Sequence, residues 1–278
     1  MVSTQRFKGR VKILAYIILC AGAVIMLLPF VWLVSGAFKT LPETILVPPT
    51  WIPRNPTLTN FSKVFTWVPF ARYYLNSIVV VLVVLASTLF TCSLAGFAFA
   101  KYEFRGRNII FILILATMMI PFQLIIVPLY IMMFEARLTD TLAALIIPML
   151  TSAYGIFLCR QFMLGIPSSL LDAGRIDGST EFSLYWKIIL PLSKPVLATL
   201  AIITFMWNWD SFLWPIIVAD SPKSLTLPVG IAQFGQQYST YYNLQMAASL
   251  LMVIPVIALF LALQKYFIEG IVLSGLKM

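Results

Sequence analysis

Asn76-Ser77-Ile78-Val79-Val80-Val81-Leu82-Val83-Val84-Leu85-Ala86-Ser87-Thr88-Leu89-Phe90-Thr91-Cys92-Ser93-Leu94-Ala95-Gly96-Phe97-Ala98-Phe99 contains no charged residue, and the charge-free interval around it runs from Arg72 to Lys101. About 20 apolar residues suffice to carry an α-helix across the hydrocarbon core of a bilayer. This stretch therefore reads as a membrane-spanning helix over about 76–99, and the rest of the chain repeats the pattern. Lys12 to Lys39 gives a helix over about 13–36, too long for a signal-peptide core and so expected to be retained. Arg107 to Glu135 gives 108–134, Asp140 to Arg160 gives 141–159, and Lys194 to Asp220 gives 195–219, interrupted by Asp210. Between Lys223 and Lys265 the polar half, Gln233 to Gln245, belongs outside the membrane, which leaves 246–264 for a sixth span. The expectation is an all-α integral membrane protein, a single transmembrane domain over 1–278 with six spans.

Composition agrees. The 278 residues are 61% hydrophobic and 10% charged, against about 45–50% and about 25% in soluble domains. The net charge of +9 does not point to nucleic acid, because the basic residues are scattered between apolar blocks with no basic stripe. Cys20, Cys92 and Cys159 lack metal-ligand spacing and read as packing residues. Leu19 is too bulky for a lipoprotein cleavage site before Cys20. The absence of histidine removes histidine-based triads, proton relays and zinc-protease helices.

The basic residues also set an orientation. The arm with Arg6, Lys8, Arg10 and Lys12, the loop with Lys101, Arg105 and Arg107, the loop from Arg160 to Lys194, and the tail with Lys265 and Lys277 hold 13 of the 19. Basic loops stay on the cytoplasmic side, so both termini are expected to be cytoplasmic. Within the spans, Cys92, Gly96 and Ala100 recur at the four-residue spacing that lets membrane helices approach closely. Pro121 and Pro128 each remove a helix hydrogen bond and are expected to kink the third span.

The most informative loop lies between the fourth and fifth spans. It reads Ile166-Pro167-Ser168-Ser169-Leu170-Leu171-Asp172-Ala173-Gly174-Arg175-Ile176-Asp177-Gly178-Ser179, then continues to Ile188-Ile189-Leu190-Pro191 and Pro195. Pro167 with Ser168 or Ser169 marks a helix start with a capping hydroxyl. Gly178 allows a turn, and Thr180 with Glu181 opens a second short helix that Pro191 ends. A helix-turn-helix over 160–194 is predicted on the cytoplasmic face, too polar to cross the bilayer and apolar enough to mark a docking surface.

This loop resembles the EAA motif of ABC importer permeases, E-A-A-x-x-D-G-A followed by an aromatic residue and L-P. Ala173, Asp177, Gly178, Tyr185, Leu190 and Pro191 fall at matching positions; Asp172 replaces the leading Glu, Gly174 the second Ala and Ser179 the last Ala. Gly174, a poor helix former, leaves the rigidity of the first short helix open. The likeness to the maltose-type carbohydrate-uptake permeases, and there to the smaller six-span subunit, extends over nearly the whole chain. It runs through Trp51-Ile52-Pro53, Pro56-Thr57-Leu58, Tyr74-Leu75-Asn76-Ser77, Phe104-Arg105-Gly106-Arg107, Met119-Ile120-Pro121, Phe212-Leu213-Trp214-Pro215, Thr226-Leu227-Pro228-Val229-Gly230 and Gln264-Lys265-Tyr266-Phe267 with Gly270.

The resemblance implies a permease subunit in a bacterial or archaeal cytoplasmic membrane, moving a carbohydrate (a di- or oligosaccharide, with glycerol phosphate as an alternative) inward by alternating access. The implied partners are a second permease in a heterodimer, two ATPase subunits that use ATP and Mg, and an extracytoplasmic sugar-binding protein received by the segments 37–72 and 220–245. The chain has no G-x-x-x-x-G-K-[ST] loop of its own, so it is expected to be a transport subunit that binds no cofactor. The expected ATPase-coupling residues are Leu170, Leu171, Asp172, Ala173, Gly174, Asp177, Gly178 and Phe182. Of these, Asp172 and Asp177 would offer carboxylates, Gly178 the turn, and Leu170, Leu171 and Phe182, with Ile176, the apolar contact.

In the fifth span, Trp207, Asn208, Asp210 and Trp214 are candidates for a substrate path. Aromatic faces beside amide and carboxylate groups suit sugars, and an ionisable residue within a span is a functional signal. One rival, an ion-gradient transporter, would show several such residues in repeated halves, and only Asp210 qualifies. A second rival, an intramembrane hydrolase, lacks its aspartate pair, Ser with His, or metal motif. Neither has any use for the 160–194 loop.

Overall fold

The computed structural model describes residues 2–235 and 240–275, with backbone alone at 2–11, 13, 14, 263 and 265–275. The side chains of Arg6, Lys8, Arg10, Lys265, Tyr266 and Phe267, and all of Lys277, lie outside the described set, so the basic arm and tail are not seen in detail. The helices follow in the order α1 (Val2–Ala37), α2 (Leu41–Thr44), α3 (Thr59–Trp67), α4 (Phe70–Lys101), α5 (Arg107–Thr117), α6 (Phe122–Glu135), α7 (Leu142–Ile146) and α8 (Ala153–Leu164), then α9 (Ser169–Ile176), α10 (Glu181–Leu184), α11 (Leu190–Leu192), α12 (Lys194–Trp209), α13 (Leu213–Val218), α14 (Leu227–Ala232) and α15 (Tyr242–Gly275). No strand occurs among the described residues.

Four helical stretches are long and apolar enough to cross a bilayer, Ala15–Ala37, Phe70–Lys101, Leu142–Leu164 and Tyr242–Ala262. Two bent pairs raise the number to six if each counts as one span: α5 with α6, at 96°, and Glu181–Leu192 with α12, at 78°. The third span expected over 108–134, with kinks at its prolines, is broken outright. Its 11- and 14-residue halves reach about 17 and 21 Å at 1.5 Å per residue, each short of the roughly 30 Å core. The break falls at Pro121, which precedes α6, while Pro128 is accommodated inside α6. The fourth span extends to Leu164 and is assembled from α7, a 3-10 turn (Ile147–Met149) and α8. The fifth stops at Trp209: Asp210, Ser211 and Phe212 separate α12 from α13.

The chain forms two compact units, residues 1–68 with 231–253, and 69–230 with 254–278. In the first, buried polar groups are matched closely. Lys39 lies 4.2 Å from the centroid of the Trp32 ring and donates to Thr50 O. Glu43 accepts from Arg54 N at 2.6 Å. Asn60 Nδ2 donates to Ala37 O at 2.8 Å and Lys39 O at 2.7 Å.

In the second unit α4 packs along α8 and α12. The small-residue stripe does what its spacing predicts: a Cβ on Gly96 would stand 2.5 Å from Cys159 Cβ, and one on Gly155 would stand 2.7 Å from Cys92 Sγ. Both cysteines are buried packing residues. Asp140, at φ +58°, ties the segment after α6 to that after α13. It accepts from Asp220 N at 2.9 Å, Ser221 N at 2.8 Å and Ser224 Oγ. Burial works to raise its pKa, but these hydrogen bonds outweigh it and hold the carboxyl well below its usual range.

Candidate functional site: the α9–α11 loop

The predicted helix-turn-helix is present in the second unit. Ser168 stands at the N-terminus of α9, but its hydroxyl makes no capping bond, contrary to expectation. Asp177 closes α9, with its N–H bonded to Ala173 O and Arg175 O. Gly178 then takes φ +79°, the left-handed region where only glycine is free of a side-chain penalty. Thr180 caps α10 by accepting from Ser183 N at 3.3 Å. Helical backbone then continues past Pro191 to Leu192, through a widened π turn over Tyr185–Ile189 with Leu190 N bonded to Tyr185 O. Pro191 has no N–H for the Lys187 carbonyl and would crowd it in a regular helix; the widened turn lies over that carbonyl. The break comes at Ser193.

One side of the loop is core. Leu171, Leu184, Tyr185 and Ile189 are buried with Phe97, Cys159, Met163 and Ile166, and Tyr185 Oη lies 2.7 Å from Ser93 Oγ on α4. Leu171 was expected as an apolar contact for a partner. At 1% exposure it cannot be one, because the amphipathic turn of α9 points it inward. Gly174 is inward too, and packing explains it: a Cβ there would meet Leu184 Cδ2 at 2.5 Å.

The opposite side is open. Leu170, Ile176, Phe182 and Trp186 are exposed, Ile176 at 87% and Phe182 at 59%, and the Phe182 and Trp186 rings stack at 6.2 Å. Ala173, Asp177 and Gly178 are also exposed. Asp172 is exposed as well, and accepts from Arg175 Nη1 at 2.9 Å.

Sequence reasoning missed the polar clasp that fixes the loop. Arg175 forks onto Glu181, Nε to Oε1 at 2.9 Å and Nη2 to Oε2 at 3.2 Å. Tyr102, just past α4, donates to the same carboxylate, and Lys101 donates to Ile166 O. The Arg175 and Tyr102 hydrogen bonds hold the Glu181 carboxyl below its ordinary pKa. Burial, with the Glu181 carboxylate beside it, pushes Tyr102 up to about 12. The three-residue spacing of Asp172 and Arg175 was a visible signal; the Glu181 and Tyr102 contacts were not.

The four substrate-path candidates separate. Trp214 is a core residue, 2% exposed, with Nε1 donating to Ala144 O at 3.0 Å. Its ring is thus unavailable to a substrate, which corrects the expectation. Trp207 is exposed and Asn208 partly so, Nδ2 donating to Thr204 O at 2.8 Å. Asp210 is exposed at the C-terminal end of α12, at a break and not inside a continuous helix.

Comparison with known proteins places this geometry. The chain is 36% identical over 258 residues to the arabinooligosaccharides transport system permease protein AraQ of Halalkalibacterium halodurans, covering 92% of each. It is 32% identical to the lactose transport system permease protein LacG of Rhizobium radiobacter, covering 93% of this chain and 94% of the relative. The fold matches a chain in the crystal structure of a bacterial ABC transporter involved in the import of the acidic polysaccharide alginate, with a TM-score of 0.83 at 21% identity, over 92% of this chain and 95% of that one. The model of one family, the binding-protein-dependent transport system inner membrane component, matches residues 92–272, the α9–α11 loop included. The chain belongs to that family, the membrane-embedded permeases of ABC importers.

Proposed function

We propose that this permease imports a di- or oligosaccharide, and that its α9–α11 loop is the surface through which a separate ATPase drives it. The observation that carries the coupling role is the two-sidedness of the loop. Its inner face is built into the α4–α8 core, while Leu170, Ile176, Phe182 and Trp186 are left uncovered on a short, clasped element. Exposed apolar side chains on a rigid projection suit a protein partner, and a rigid projection transmits displacement to the helices it is packed against. The carbohydrate assignment draws support from the arabinooligosaccharide and lactose relatives.

In this reading α5 with α6 makes one span and α12 with α13 another, which gives six spans with both termini and residues 160–194 cytoplasmic. A second permease completes the path, and two ATPase subunits bind and hydrolyse ATP with Mg. The chain itself is a transport subunit without cofactor or catalytic site. An extracytoplasmic binding protein delivers the sugar. Trp207, Asn208 and Asp210 remain path candidates on exposure and chemistry.

The test is ATPase activity of the purified complex, assembled with its binding protein, across arabino-oligosaccharides, lactose and glycerol phosphate. Stimulation by a sugar supports the proposal and names the substrate; stimulation by glycerol phosphate alone replaces the substrate class. Failure of any ATPase to associate removes the coupling role.

A further inference from the structure

The loop that follows α1 and α2 has its charged groups inside and its apolar groups outside. From Thr44 to Pro53 it contains no charged residue. Ile45, Leu46, Val47, Trp51 and Ile52 are exposed, Val47 at 92% and Ile52 at 81%. Single exposed apolar residues are ordinary, but a cluster on one short segment marks a surface that something other than water covers.

The charges at its two ends are turned under it. Lys39, fully buried, lies over the Trp32 ring and donates to Thr50 O. Glu43, also buried, accepts from Thr50 Oγ1 at 3.3 Å and from Arg54 N at 2.6 Å. Ser35 Oγ donates to Trp51 O, and Pro48 and Pro49 have no N–H to satisfy. The Lys39 and Glu43 side chains, which would be costly against hydrocarbon, are thus sealed beneath the loop. The side chains left outside are those that hydrocarbon accepts.

The same contacts fix the depth of the loop. The stretch Ala15–Ala37 is long and apolar enough to cross a bilayer. Trp51 meets Trp32 edge-on, with ring centroids 5.4 Å apart, and is bonded to Ser35. Those two residues lie about 7.5 and 3 Å before the end of α1 at 1.5 Å per residue. The chain therefore doubles back from that end and runs beside the last turns of a spanning helix. This is the level at which tryptophan is enriched at membrane boundaries, and surface-lying elements bury apolar side chains about 5–10 Å into the boundary between headgroups and acyl chains.

We infer that residues 45–52 are an interfacial anchor, inserted among the lipids of the leaflet that the C-terminal end of α1 reaches. The inference needs α1 to cross the bilayer and is independent of the sugar and of the coupling loop. Val47 and Ile52 project almost free of their neighbours, so a protein partner would need a recess for each, whereas acyl chains part around them. A delivery protein that docks and leaves would return the tip to water between visits; lipid beside a spanning helix is always there. Interfacial anchors set the tilt and rotation of the helix they flank, and this one would hold α1.

The experiment uses the complete importer complex in liposomes of phosphatidylethanolamine and phosphatidylglycerol, with an environment-sensitive fluorescent amino acid encoded at position 47. Lipids carrying a nitroxide high on the acyl chain are expected to quench it roughly threefold more strongly than iodide present on both sides of the bilayer. Stronger quenching by iodide places the tip in water and overturns the anchor. Protection from both quenchers places protein against the tip and overturns it in favour of a partner subunit. If the complex does not assemble with the probe at 47, position 52 carries it, and the same outcomes decide.

Discussion

Gly174 lies so close to Leu184 that the two short helices of the coupling loop meet where a side chain is missing: a Cβ at 174 would stand 2.5 Å from Leu184 Cδ2 and 3.2 Å from Ile188 Cδ1. The site is buried on both sides, so the added atom cannot be relieved by solvent. Overpacking of this kind costs about 1–3 kcal/mol. Gly174→Val is expected to push α9 off α10 and to reduce both ATPase association and uptake. Combining Gly174→Ala with Leu184→Ala should recover more function than Gly174→Ala alone. A double-mutant cycle on association affinity reads the coupling directly, and additive losses would show that the contact is unimportant.

Gly178 behaves differently. A Cβ there would meet nothing within 4 Å, yet φ is +79°. Its requirement is conformational, and a non-glycine residue costs about 1–2 kcal/mol in this region. Gly178→Asn, which tolerates the left-handed region, is expected to keep most of the uptake, and Gly178→Val to lose it. Equal loss in both would point to a partner pressed against that surface.

The clasp on Glu181 predicts a pH response. Its carboxyl is held below the ordinary value of 4.5 by the Arg175 and Tyr102 hydrogen bonds. A depressed carboxyl adds stability that is complete above 4.5 and is lost as pH falls through the folded-state value. Amide-exchange protection over Ser169–Leu184, corrected for intrinsic rates, should therefore drop as pH falls below the ordinary carboxyl value of 4.5. Glu181→Gln should lower protection at neutral pH and flatten that step. A step of unchanged size in the variant would assign it to another carboxyl.

Trp207 and Trp214, one on either side of Asp210, should separate cleanly. Trp214→Phe removes the donor to Ala144 O and should cost about 1–3 kcal/mol of stability without altering which sugar is transported. Trp207→Ala should leave the thermal transition in place and lower the uptake rate. Altered sugar preference in Trp214→Phe would return that residue to the substrate path.

Charge-free intervals around 13–36, 76–99 and 246–264 coincide with single unbroken apolar helices, because hydropathy is a local property and no break interrupts the helix there. The same signal was blind between Arg107 and Glu135, where an apolar run reads alike whether the chain passes straight through or turns by 96° at Pro121. Asp210 was visible as an ionisable residue but not as the end of α12. In the loop, the spacing of Ala173, Asp177, Gly178 and Pro191 revealed the motif. It could not separate Leu170, which is exposed, from Leu171, which is buried, since adjacent leucines differ only in which way one helical turn faces. Arg175 fell at a variable motif position, and its role emerged only with Glu181 and Tyr102 brought to it by the fold.

The break between α5 and α6 bears on whether this chain can stand alone in a bilayer. Met118, Met119 and Ile120 at the bend are exposed, Met119 at 84%, and neither half-helix is long enough to cross alone. Irregular backbone at membrane depth is tolerated only where protein or a water-filled path covers it. If α5 and α6 form one span, that cover has to come from other protein or a water-filled path, so this chain would be stable in the bilayer as part of an assembly and not as a lone copy.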